Sequence, residues 1–145
     1  GWTNIQAALA LAQLRRINEL LEYKKWLFDE YQKRLSGIPN LKLSPSTDNV
    51  DHTYWITTAL LKNYGIKKED FKVMLDEYAI DMRPLFYPLS AMPPFKNYVK
   101  KNMRDQNPIT YELSDYGICL PNGNNLSEDD VDYICYHFKN ALGVS

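Results

Sequence analysis

The sequence has little of what usually announces chemistry. It has two cysteines, Cys119 and Cys135, and two histidines, His52 and His137. Neither pair has the spacing of a metal site, and nothing resembles a disulfide framework, so both cysteines read as reduced core residues of a cytoplasmic protein. The histidines fall in different elements, His52 at a strand entrance and His137 among solvated positions of a helix, where structural roles are expected. An excess of one charge is also missing: 17 basic residues face 18 acidic ones, interspersed, for a net charge of −1. That leaves no basic face for nucleic acid and no acidic tail. No apolar run is long enough for a bilayer, and no stretch reads as a signal peptide. Neither a membrane partner nor a nucleic-acid partner is expected.

Catalytic constellations are absent in the same way. Asn122-Gly123-Asn124-Asn125 is turn chemistry and no phosphate loop, because no Lys-Ser/Thr pair follows it. The acids of Ser127-Glu128-Asp129-Asp130 read as a helix cap. None of the twelve lysines stands in an apolar, Gly- or His-rich context that would depress its pKa for nucleophilic work. From the residues alone this is a binding or accessory domain with no metal, cofactor-binding or catalytic residue of its own.

What is present is enough for one core. A chain of 145 residues with 45% apolar content supports a single domain. Aromatic content is high, with eleven tyrosines, a residue that lines polar ligand sites and subunit contacts. The chain starts at Gly1 and runs as helix by Ile5, as if cut from something larger. Helical spacing of Ile5, Leu9, Ala12, Ile17, Leu20, Leu27, Tyr31 and Leu35 predicts one long helix from Thr3 to Leu35, stopped by Ser36-Gly37 and Pro39. Its alanine-rich start predicts an apolar face left for another element. Residues 52–61, rich in β-branched and aromatic types, predict a strand. Lys68–Tyr78 predicts a short helix with Phe71, Met74, Leu75 and Tyr78 on its buried stripe. A helical turn is expected over 96–103, a helix from Asn107-Pro108 to Tyr116, a strand over 116–121, and a last helix, Glu128–Leu142, between Ser127 and Gly143. Its stripe is Val131, Ile134, Cys135, Phe138 and Leu142. Alternating helices and strands make the fold class α+β.

The stretch Asp81-Met82-Arg83-Pro84-Leu85-Phe86-Tyr87-Pro88-Leu89-Ser90 stands apart. Its prolines exclude a helix and place it at a sheet edge or end. Arg83 brings a rigid five-donor fork suited to carboxylate or phosphate. Taken alone, it is an ordinary surface arginine beside an edge strand.

Four segments in order resemble the C-terminal domain of the sugar aminotransferases of the DegT/DnrJ/StrS type, fold-type I pyridoxal-phosphate enzymes. Thr3 to Leu14 is similar to the family's "TNIQAALGLAQL", and His52-Thr53-Tyr54-Trp55-Ile56 to its "HVYWL". Asp81 to Ser90 is similar to "RPFFYPLS", and Gly117 to Asp130 to "GLCLPSG…LTEED". Ser90, where many relatives have histidine, resembles the perosamine-synthase-like members and leans the substrate towards a nucleotide-linked 4-keto-6-deoxy sugar. The resemblance implies a long connecting helix over 1–36 and a small domain over 37–145, a mainly antiparallel sheet with helices packed on it. It implies substrate contacts from Arg83, Tyr87 and Ser90 on a central strand and the loop after it. It implies glutamate as amino donor, pyridoxal phosphate as cofactor, and a homodimer. The family's Asn-x-Arg-Met run before Thr3, its Schiff-base lysine and its large cofactor-binding domain have no counterpart in these residues. The chain by itself is therefore expected to be inactive and without cofactor. The alternative is a non-catalytic ligand-binding or interaction module of the same fold.

Overall fold

In a computed structural model that describes residues 1–44, 46–99 and 102–144, the chain opens on α1 (Asn4–Leu14). A reciprocal cap starts it: the Gln6 amide donates to Thr3 Oγ1 (3.3 Å), and the Thr3 amide donates to Gln6 Oε1 (2.9 Å). The predicted single helix breaks at Arg15 and Arg16, where Arg16 leaves helical geometry (φ −109°, ψ 12°), and α2 (Ile17–Leu35) follows. No periodicity argument sees that break, because the apolar positions keep helical spacing across it. α1 buries none of its side chains, and Ile5 and Leu9 are 75% and 64% exposed. Its apolar face is open, as the alanine-rich start predicts.

α2 buries Leu27, Phe28, Tyr31 and Leu35. Leu27, Tyr31 and Leu35 pack in one cluster with the stripe of α6 (Glu128–Leu142), where Val131, Ile134, Cys135, Phe138 and Leu142 are all buried as expected. Ser127 caps α6 through the Asp130 amide (3.2 Å), and Gly143 closes it in the left-handed region (φ 71°) that glycine enters without cost. Arg34 joins the two helices, binding Glu30 on its own helix and Glu128 and Asp132 on α6.

The sheet holds four short strands: β1 (Lys42–Leu43), β2 (Thr58–Leu60), β3 (Arg83–Pro84) and β4 (Gly117–Cys119). They lie in the order β1-β2-β4-β3, and every pairing is antiparallel. Ala59 opposite Ile118 fixes the face that meets the helical core. Two expectations fail here. The strand over 52–61 shrinks to three residues, because Tyr54 takes a positive φ of 51° and turns the backbone out of line. Two contacts hold it there: its amide donates to His52 Nδ1 (2.8 Å), and its ring stacks on Phe28. β3 is an edge strand, as its prolines predict, and not the central strand that the resemblance implies. Pro84 and Pro88 cannot extend a ladder, so β4 takes the middle place beside β2.

α3 (Lys68–Asp76) buries Lys68, Phe71 and Leu75, whereas Met74 and Tyr78 are exposed. The turn expected over 96–103 appears as a 3-10 stretch, Pro93–Tyr98, and a short α4 (Met103–Gln106), with 100–101 outside the described residues. α5 (Pro108–Tyr116) runs directly into β4 as predicted. His137 is half-buried, not solvated: its ring stacks on Tyr78 at 3.9 Å between centroids, with Tyr133 and Tyr136 edge-on. That makes it a packing residue.

Candidate functional site

The outer edge of the sheet forms one wall of a cleft of about 750 Å³, among whose lining residues are Trp55, Arg83, Phe86, Tyr87, Cys119 and Asn122. Register decides which side chains enter it. Pro84 lies opposite Ile118, whose side chain belongs to the core; Arg83 lies opposite Cys119, so both point to the other face. The Leu85 amide extends the pairing by one bond, donating to the Gly117 carbonyl at 3.0 Å. There the backbones come so close that a Cβ on Gly117 would sit 2.6 Å from Leu85 Cδ2. Beyond Leu85 the chain leaves the sheet, and Phe86 and Tyr87 stand at the cleft. Trp55, 68% exposed, reaches it from the other side, directly after the turned backbone of Tyr54.

Arg83 is free to meet a ligand. Its side chain is 76% exposed, and among the described residues its one ion pair is with Asp81 at 3.0 Å. Asp81 also accepts from Lys72 (3.3 Å), which binds Asp76 at 2.7 Å. The guanidinium thus hangs at the end of a solvated charge chain that an incoming anion can displace. Tyr87 is held from behind, where Lys68 Nζ lies 3.7 Å from its ring centroid. Ser90 lies outside the cleft's walls: its Oγ shares a 2.9 Å hydrogen bond with the Tyr111 hydroxyl, and the Tyr111 ring lies under Arg104. Of the three residues proposed from sequence, Arg83 and Tyr87 come together and Ser90 belongs to the neighbouring α5 contact.

Sequence reasoning missed the cleft's aromatic company, Trp55 and Phe86, and it misjudged Lys68. That lysine is 2% exposed, and burial pulls its ammonium below the usual lysine range. The signal was its place one turn before Phe71 and two before Leu75 on the buried stripe. Burial pushes the Cys119 thiol up, so it faces the cleft as an inert group. Among the described residues, no group of three His, Cys, Asp or Glu could hold a metal.

Pyridoxal phosphate needs an amine to hold its aldehyde and donors around its phosphate. Among the described residues lining the cleft, Arg83 is the single cation and none is a lysine. Lys68 turns its ammonium to the Leu85 carbonyl and the Tyr87 ring. These residues do not form the covalent seat of that cofactor.

An antiparallel sheet backed by helices is a fold this chain shares with solved sugar aminotransferases. The protein Spr1654 of Streptococcus pneumoniae, described as a sugar aminotransferase and solved in its PLP form, superposes with a TM-score of 0.86 at 25% identity, over 99% of this chain and 36% of that one. Residues 2–139 match the DegT/DnrJ/EryC1/StrS aminotransferase family, and the chain belongs to it. It is 29% identical over 139 residues to a GDP-perosamine synthase of Vibrio cholerae, covering 95% of this chain and 37% of the relative. With a GDP-perosamine synthase of Escherichia coli O157:H7 it is 32% identical over 133 residues, covering 92% and 34%. The chain thus spans about a third of the length of the relatives it matches. No helix among the described residues is long and apolar enough to cross a membrane.

Proposed function

We propose that this chain supplies the substrate-side wall of a pyridoxal-phosphate-dependent aminotransferase acting on a nucleotide-linked keto sugar, with glutamate as amino donor. The observation that carries the reading is the pairing, in one cleft, of the exposed Arg83 fork with the aromatic faces of Trp55, Phe86 and Tyr87. A nucleotide sugar has the matching parts: a diphosphate for the guanidinium, and base and sugar faces for the rings. Tyr87 adds a hydroxyl for a sugar hydroxyl group, whereas the Ser90 hydroxyl is engaged by Tyr111 outside the cleft. The perosamine synthases among the relatives favour a 4-keto-6-deoxy sugar. The cofactor supplies the electron sink and is held by residues outside this chain, which alone is inactive. The open face of α1 and the eleven tyrosines suit a homodimer, and two buried free thiols suit the cytoplasm.

The test is glutamate-dependent amination of a GDP-linked 4-keto-6-deoxy sugar by the complete polypeptide. Arg83→Ala should leave the fold intact and lower kcat/KM at least about tenfold, the worth of one charge-assisted hydrogen bond. Arg83→Lys should recover part of it, since a point charge cannot reproduce the planar fork. Wild-type kinetics in Arg83→Ala would remove Arg83 from the site. That no described residue lining the cleft is a lysine favours one rival, a non-catalytic ligand-binding module. That rival predicts nucleotide-sugar binding with no amination and no visible absorbance from a bound cofactor.

A further inference from the structure

Lys68 opens α3 at a place hostile to a cation. It is almost wholly buried, and it stands at the helix end where aligned peptide dipoles already present positive charge. Its neighbours on the same helix are treated differently: Lys67 pairs with Asp115, and Lys72 with Asp76 and Asp81. Among the described residues Lys68 meets no carboxylate within ion-pair distance. A leucine or methionine would fill the same space without desolvating a charge.

What the ammonium does meet is the cleft-forming segment. Nζ lies 3.3 Å from the Leu85 carbonyl oxygen, 3.7 Å from the Tyr87 ring centroid, and a long 3.5 Å from Ser114 Oγ. Two of these three contacts are to the stretch where the chain leaves β3 and turns into the cleft. Leu85 has its amide tied to β4, so with Lys68 on its carbonyl both backbone polar groups of that residue are fixed. Lys68 is not a wall of the cleft; Tyr87 is. The ring therefore stands between the buried cation and whatever occupies the site.

We propose that Lys68 is a positioning residue for substrate. Its ammonium fixes the Leu85 carbonyl and the Tyr87 ring from behind, and so sets affinity for the nucleotide sugar without touching it. This rests on the reading of Arg83 and Tyr87 as the substrate wall.

Steady-state kinetics of the complete polypeptide test it. Lys68→Met, which keeps the volume and removes the charge, should raise KM for the nucleotide sugar about two- to thirtyfold, the range of a cation–π contact from exposed to desolvated. KM for glutamate and kcat should stay near wild type, a split that general loosening of the fold would not give. Tyr87→Leu should raise the same KM, and the double variant should be no worse than Tyr87→Leu alone. Lys68→Arg, which keeps a cation over the ring, should restore most of the affinity. If Lys68→Met does not fold, Lys68→Gln gives the same reading. A wild-type KM in the neutral variant, with Tyr87→Leu impaired, overturns the inference and leaves the substrate wall standing. Wild-type KM in both Tyr87→Leu and Arg83→Ala overturns the wall itself, and the inference with it.

Discussion

Gly117 sets how closely the edge strand approaches the sheet, and one methyl group should reveal it. Its backbone is ordinary extended geometry (φ −87°, ψ 135°), so alanine there carries no conformational penalty. The obstacle is space. A Cβ at this position would lie 2.4 Å from the Leu113 carbonyl oxygen, 2.6 Å from Leu85 Cδ2 and 2.9 Å from Leu85 Cβ. The Leu113 oxygen cannot withdraw freely, because it accepts the Gly117 amide that closes α5. Leu85 must therefore move, and its hydrogen bond to the Gly117 carbonyl moves with it. Overpacking of this kind costs about 1–3 kcal/mol, which lowers the melting temperature by roughly 3–12 °C for a domain of this size. Gly37 is the control: a Cβ added there meets nothing within 4 Å, and its backbone is not left-handed. Gly37→Ala should be neutral or stabilise by up to about 1 kcal/mol. Thermal unfolding of the two variants, followed by circular dichroism, decides the matter. If Gly117→Ala melts with Gly37→Ala, the steric reasoning is wrong. Because Tyr87 lies two residues beyond Leu85, the same variant should also weaken substrate binding.

Ser127→Ala removes the α6 cap and should cost about 1 kcal/mol in denaturant unfolding. The Ser127 amide and hydroxyl both bind the Asp130 carboxylate and hold it below the usual range, so this stabilisation is complete above about pH 4 and is lost as pH falls through the lower, folded value. A Ser127→Ala/Asp130→Ala protein should lose less stability than wild type on acidification over that window. Arg34→Met strips half-sheltered Glu30 of its close partner, leaving it Lys33 at 3.8 Å, and should cost about 1–3 kcal/mol, more than Lys25→Met, whose Asp29 partner is solvated. Burial raises both thiols, Cys135 to about 12, so neither should be alkylated by iodoacetamide at neutral pH until the protein unfolds; labelling of the folded protein, read by mass spectrometry, would refute this.

Legibility from sequence followed the range of the forces involved. α5 and α6 were readable to within a residue, because caps and periodic stripes are local: Pro108 begins one, and Ser127 and Gly143 bracket the other. β4 was readable from its apolar run. The break at Arg15–Arg16 was not, since both sides of it are good helix with the same apolar phase. Nor was the end of the 52–61 strand. Tyr54 has high strand propensity, and the His52 ring and the stacked Phe28, the latter from a distant helix, hold it in a left-handed conformation. For the site, Arg83 and Tyr87 could be singled out because prolines mark their segment. Trp55 joins them only after folding, and Ser90 is drawn to Tyr111 on α5, a partner no spacing rule indicates.

The edge position of β3 follows from the same prolines and has a mechanical consequence. A strand of two residues, paired on one side, ending on Pro84 and followed by Pro88, gains little from its own ladder. What keeps Arg83 and Tyr87 in place must come from outside the strand. Two features of the structure supply it: the close seat of Leu85 on Gly117, and the Lys68 ammonium beneath Leu85 and Tyr87. One acts through shape and the other through charge, and both meet at Leu85. Combining Gly117→Ala with Lys68→Met should therefore cost less than the sum of the two single effects, because either change alone already releases the same residue, Leu85. Strict additivity in both melting temperature and KM would mean that the cleft is held elsewhere.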